Sequence, residues 1–455
     1  MPTFRVTNYP RSPELVLALL AVGAQYRYEY SRALSLYRSG RAIVLGRMQS
    51  GELSSVGHIG PPNLPSERRS REDGASVTTT DPVDTFGAIL LLSTFASWQG
   101  DPALVRESLE YQHLLARLAR DCGLCEEQPL DVDGDADGDD WLEWVPRESS
   151  RRTKFSVSTF LNLQSIALGL PPVLLSNEIN LRLPTSCRQW LAQDQQSWLA
   201  AREETPQATY FRDVLCRLCT DSGDDDGLDH GGNKDTEPMP VTTPFGNFVL
   251  IHALLQRLVL SWQFSHTSCL PTSSSALSSQ KPLHLQHHPN GSGGTFEKSL
   301  RRWRDSWQNA PECLLDLMKS KDSLSWSATS LLGLAHVRVH FDLGSRRSEL
   351  LHLNDPSSSR GVIADVALAA PSPVRGPHLL NALLHSVHAL SVPAQLGIHY
   401  LANCHAFFLS LQHAFCYFEC AVFLSKWLLS LCGDDDRERV VTDSDNLLQT
   451  WSVRW

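Results

Sequence analysis

Two C-x-x-C pairs, Cys122/Cys125 and Cys216/Cys219, have the residue types that could hold zinc, because four thiolates suit a tetrahedral ion. The pairs are far apart in the chain, both fall where helices are predicted to end, and neither has the nearby companion pair of a ribbon or finger. A redox C-x-x-C works at a strand-to-helix turn, which this helical sequence does not supply. Asp133-x-Asp135-x-Asp137-Gly138 matches the first half of a calcium loop. Its twelfth position is Trp144, with Glu143 one place early, so the bidentate carboxylate is missing and we read a solvated acidic loop. His284, His287 and His288 lie in a Ser/Pro-rich stretch, and His385 and His388 sit one helical turn apart. Either set could chelate a transition metal weakly, but we read a low-complexity loop and a polar helix edge. His413, Cys416 and Cys420 share a face with an apolar stripe and are expected in the core. A nucleophile elbow, a phosphate loop, a dinucleotide glycine fingerprint and H-E-x-x-H are all lacking, so the sequence gives no support to an enzyme. We expect no catalytic residue, no metal site and no cofactor in this chain.

The charge balance points the same way. With 40 Lys and Arg against 50 Asp and Glu, the net charge of −10 lacks the clustered positive field that grips a phosphate backbone. The basic groups Arg68-Arg69 with Arg71, and Arg301-Arg302 with Arg304, are short enough to be solvated faces, although such clusters can serve nuclear import. Eleven cysteines, odd in number and mostly within apolar runs such as Cys404, Cys416 and Cys420, indicate reduced thiols and an intracellular protein. The start imitates a secretory signal, since Arg5 and Arg11 precede the apolar run Leu15 to Leu20. Glu14 abuts that run, however, and the helical pattern continues through Tyr26, Tyr30, Leu34 and Tyr37, which predicts a helix of the folded body. No stretch of 18 uncharged apolar residues occurs, and the most hydrophobic region, Gly397 to Leu431, is interrupted by His405, Gln412, Glu419 and Lys426, so we expect no membrane span.

The elements that would position these residues are helices. Apolar residues recur at steps of three and four along Phe408, Leu411, Phe415, Phe418, Val422 and Leu429, and along Leu104, Tyr111, Leu115 and Leu118. Asp81-Pro82, Asp101-Pro102 and Thr243-Pro244 each place a side-chain oxygen before a proline suited to a first helical turn. Hairpin signals are lacking and no repeat of fixed period is found. Polar stretches at Ser50–Thr80, Glu126–Asp140, Asp221–Thr243, Ser265–Gly294 and Gly344–Arg360 read as loops between helices. The prediction is an all-α fold: one large irregular helical domain over residues 1–455, with a soft boundary in loop 265–294. At 42% hydrophobic residues the chain can bury a large core.

One central stretch is more specific. Trp141 and Trp144 are followed by Glu148, Arg152 and Thr153, then Pro171-Pro172, Leu183-Pro184 and Trp190. This order resembles the middle homology region of fungal-specific transcription factors. The resemblance extends to the apolar helix ending Gly23-Ala24-Gln25-Tyr26, to Gly40-Arg41, to Phe95 with Trp98, and to the closing segment with Glu419, Lys426 and Trp427. It implies a nuclear regulator of RNA polymerase II genes, working through protein interaction and autoregulation, with these residues as structural framework. Members normally carry a binuclear zinc cluster or paired zinc fingers upstream, and this chain begins almost at the Gly-Ala-x-Tyr helix. Zinc is therefore expected only in that missing module. The chain would be a truncated product, a misjudged gene boundary or a factor without its own DNA-binding domain. The partners implied are transcriptional co-regulators or a related DNA-binding factor, with DNA reached only indirectly and a homodimer permitted. The alternative is a non-DNA-binding helical scaffold that modulates a related regulator. Independently of the family, Trp141 and Trp144 share a helical face, and Glu148 precedes Arg152 by four positions, the favourable order for a helical ion pair.

Overall fold

The computed structural model describes residues 12–50, 82–97, 101–126, 140–205, 208–220, 239–267, 292–310, 312, 323–343, 365–397 and 411–432. Among these the chain is all-α, and its one β-type pairing is an isolated parallel bridge between Cys125 and Asn180. The contacts divide the protein into two compact units, Met1–Asn162 with Pro172–Ala208, and Leu163–Pro171 with Thr209–Trp455. The acidic Asp133–Gly138 loop, the clusters at Arg68 and His284, Cys404, and Trp98 lie outside the described residues.

In the first unit, α1 (Pro13–Tyr26) and α2 (Tyr30–Gln49) pack on each other and on α3 (Pro82–Ser97), which packs on α4 (Pro102–Asp121). Gly40 permits the α1–α2 approach: a Cβ there would lie 3.3 Å from Leu17 Cβ. Glu14, the residue that argued against a secretory signal, is fully buried and pairs with Arg47 while accepting a 2.8 Å bond from Thr85 Oγ1. Charge buried at this depth persists only with such partners. The start of α4 follows its proline rule, with Asp101 accepting from the Ala103 amide at 2.9 Å. Tyr111, Leu115 and Leu118 are buried as their spacing requires. The unit continues through α5 (Trp141–Leu168) up to Asn162, then α6 (Cys187–Leu191) and α7 (Gln195–Glu203).

The second unit contains α8 (Phe211–Cys219), α9 (Pro244–Thr267), α10 (Ser292–Gln308), α11 (Ser323–His340), α12 (Leu380–Leu396) and α13 (Leu411–Cys432). Thr243 caps α9 by accepting from the Gly246 amide at 3.1 Å. Helix α11 packs on α9, α10, α12 and α13, and Val337 and Phe341 share a core with Leu379, Leu383, Phe423 and Trp427. The buried stripe of α13 keeps Val422 of the expected set but otherwise differs from it. Leu429 is 62% exposed and Phe415 and Phe418 are half-buried, whereas Cys416, Glu419, Cys420, Phe423 and Trp427 face inward. Turning this face in buries the indole of Trp427, and Arg338 opposite compensates the charge of Glu419. By length and composition alone, Pro244–Gln263 and Gln412–Leu431 could each cross a membrane. In the fold both pack against α11, and the second carries the Glu419 ion pair.

Candidate functional site

The central motif residues converge on one buried carboxylate. Trp141 and Trp144 pack with Trp198 and Ala192, the Trp144 ring lying 5.4 Å from that of Trp198 and 6.3 Å from that of Trp190. One turn further along α5, Glu148 is fully buried. Its Oε1 accepts from Arg152 Nε at 2.7 Å and from the Thr185 amide at 3.1 Å, and its Oε2 accepts from Arg151 Nη1 at 2.6 Å. Arg152 donates from Nη2 to the Thr185 carbonyl at 2.8 Å, and its guanidinium lies over the Trp190 ring at 4.6 Å. Arg151 reaches in turn to Glu126, at 2.9 and 3.2 Å, and Glu126 accepts from the Arg182 amide at 3.1 Å. The irregular segment around Leu183-Pro184, both buried, is thus fastened to α5 through its backbone. Thr153 donates to the Ser149 carbonyl at 2.9 Å within the same helix.

A second clamp holds the stretch of chain that leads into this segment. Arg120 donates to Glu178 at 2.6 and 3.0 Å and to the Val173 carbonyl at 2.8 Å, just after Pro171, which is exposed, and Pro172, which is half-buried. The Arg120 hydrogen bonds hold the Glu178 carboxyl below the usual range. Burial lowers the Lys154 ammonium, against the pull of Cys122 and Glu126.

In the second unit, Arg338 donates to Glu419 at 2.9 and 2.5 Å and to the Ile166 carbonyl at 3.0 Å. Lys426 donates to the Leu368 carbonyl at 2.6 Å, and Trp427 is buried in the core. Two motif residues stand apart from these clusters: Tyr26 is 56% exposed at the end of α1, and Arg41 pairs with Glu107 of α4.

What the geometry offers is mechanical. Glu148 and Glu419 each have both carboxylate oxygens engaged by guanidinium or amide donors, which fixes them as struts and leaves neither poised to move a proton to a substrate. Among the described residues no group of three His, Cys, Asp or Glu is placed to hold a metal. His413, Cys416 and Cys420 are buried in the core face of α13. His385 is less of a polar edge than its spacing suggested: its ring stacks on His336 with centroids 4.5 Å apart, while His388 is exposed. Of the basic group at 301–304, Arg302 is spent on the carbonyl of Thr220 and Arg304 pairs with Asp305 at 3.1 Å.

Sequence reasoning named Glu148 and Arg152 but passed over Arg151, Glu126, Trp198 and Arg338. Arg151 had a usable signal, since it stands three positions after Glu148 and can reach the same carboxylate. Arg338 had none, because its partner is 81 residues away.

An all-helical body whose charged motif residues act as internal struts is the class of protein that fold and site define. The fungal specific transcription factor domain matches residues 2–305, and the fungal transcription factor C-terminal domain matches residues 342–453. The chain belongs to the fungal specific transcription factor family, a family of transcription regulators. Neither a curated protein nor a solved structure matches it.

Proposed function

We propose that this chain is the regulatory region of a fungal transcription factor, acting in the nucleus on genes transcribed by RNA polymerase II. It works through contacts with co-regulators or a related DNA-binding factor and through autoregulation. Base reading and zinc are the work of a separate zinc module, and this chain meets DNA only indirectly. The observation that carries the reading is the family match over residues 2–305. The inward-facing, saturated carboxylates Glu148 and Glu419 support it, because they suit a rigid interaction body better than a reacting centre. A net charge of −10 is likewise suited to protein partners rather than a phosphate backbone.

The test joins the chain to an unrelated DNA-binding domain in a fungal cell. Transcription of a matched reporter should change, in either direction, and Trp427→Ala should remove the change by unfolding the second unit's core. Cys125→Ala, at an exposed thiol, should leave it intact. A stable nuclear fusion with no effect on the reporter would overturn this reading and favour a passive scaffold.

A further inference from the structure

The described cysteines fall into distinct settings. Cys416 and Cys420 are 1% exposed on α13, and burial pushes both thiols up, Cys420 to about 12, so they are shielded from solvent oxidants. Cys125 points its Sγ at the Glu178 carbonyl, 4.0 Å away, beside the bridge to Asn180. Cys216 and Cys219 are different: they lie one turn apart on the last turn of α8, the first exposed and the second half-buried.

Helix geometry places Cα atoms three residues apart at about 5 Å. That lies within the roughly 4.4–6.8 Å over which a disulfide forms. The Cβ atoms, about 5–6 Å apart in an ideal helix, must close to about 4 Å. The bond can therefore form only if this turn tightens.

The same turn carries the attachment of α8 to α10. Thr220 bonds back to the Cys216 carbonyl through its amide at 2.8 Å and its hydroxyl at 2.7 Å. Arg302 of α10 donates to the Leu218 carbonyl at 3.5 Å and to the Thr220 carbonyl. These are terminal carbonyls that the helix itself cannot satisfy. Around Cys219 stand Arg257 of α9 and Ser299 and Arg302 of α10. Burial raises this thiol and the neighbouring Cys216 adds to the rise, while Arg257, Ser299 and Arg302 only partly oppose it.

We propose that Cys216 and Cys219 form a peroxide-oxidised dithiol, a modification site whose closure loosens the hold of Arg302 on the end of α8. The exposed Cys216 thiolate attacks the O–O bond of a hydroperoxide, becoming a sulfenic acid and releasing an alcohol, or water from hydrogen peroxide. The Cys219 thiolate then attacks that sulfur, the S–S bond forms, and the departing hydroxide takes a proton to become water. Two thiols lose two electrons and two protons, and the peroxide is reduced. A dithiol reductant reverses the change.

The whole reduced chain is treated with a small excess of hydrogen peroxide and mapped without reduction. Cleavage after Arg217 separates the two cysteines, so their peptides should stay joined only by the disulfide. Amide exchange at 217–220 should quicken about tenfold on oxidation, the mark of local opening, and dithiothreitol should restore it. Cys216→Ser and Cys219→Ser should each abolish link and change. Arg302→Ala should quicken the same amides without oxidant. Linkage through other cysteines, Cys216 passing only to sulfonic acid, or a Cys216–Cys219 bond with unchanged exchange would each overturn the proposal, as would normal protection in Arg302→Ala.

Discussion

Arg338 on α11 and Glu419 on α13 meet as a two-bonded ion pair inside the second unit, 81 residues apart in sequence, with neither side chain more than 2% exposed. Taking both charges out of water is costly, and the pair persists because the two carboxylate oxygens and the Ile166 carbonyl all receive guanidinium donors. Burial alone would weaken the Arg338 charge, but Glu419 outweighs it and holds the guanidinium protonated.

Glu419→Ala should therefore cost about 3–5 kcal/mol, because it strands a buried guanidinium. The paired replacement Arg338→Met with Glu419→Leu should recover most of the loss. Urea unfolding followed by tryptophan fluorescence checks both, and equal destabilisation of single and double variants would show that packing, not charge, is at stake.

Glu148 fastens backbone as well as side chains. Changing it to Gln should cost about 1.5–3 kcal/mol, the range for hydrogen bonds to charged groups. It should also expose the Thr185 amide, which bonds to Glu148 Oε1 at 3.1 Å. Hydrogen exchange at Thr185 reads this directly, and unaltered protection would mean that Arg152 alone holds the segment.

Trp144 is 1% exposed and Trp427 3% exposed, each in a different core cluster. Replacing either with Ala should remove about 3–5 kcal/mol. An unchanged urea midpoint for either variant would contradict its place in the core.

Four histidines of the second unit are driven neutral, chiefly by burial: His252 and His336 to about 3, His385 and His413 to about 4. Unfolded, each returns to the ordinary value near 6.5 and binds a proton that the folded ring refuses. Stability from these groups is complete above about pH 6.5 and declines as pH falls toward 4. The urea midpoint should drop across this interval, and the four ring resonances should stay unshifted in NMR titrations down to about pH 5. A ring titrating near 6.5 in the folded protein would show that site to be hydrated.

Local chemistry made much of this protein legible from its residues alone. The helix starts at Pro82, Pro102 and Pro244, the shared face of Trp141 and Trp144, and the Glu148–Arg152 pair all depend on residues within a few positions of one another. Glu14, which broke the secretory pattern, was a local signal too, although its partner Arg47 lay on another helix. The order of the motif residues identified the family because order is itself a property of sequence.

Tertiary structure decided which face turned inward and which charges met. Spacing alone places Leu429 on the apolar stripe of α13, yet that residue is exposed, because Glu419 and Trp427 take the buried side. Periodicity fixes the spacing of a stripe, but an amphipathic helix with several apolar residues around it has more than one face to offer. Which one wins depends on the opposing surface, here Arg338 of α11. For the same reason Glu126 joins Arg151, and Trp190 lies beneath Arg152, by contacts that no local spacing encodes. A desolvated charge selects its partner by three-dimensional proximity, which exists only once the helices have packed.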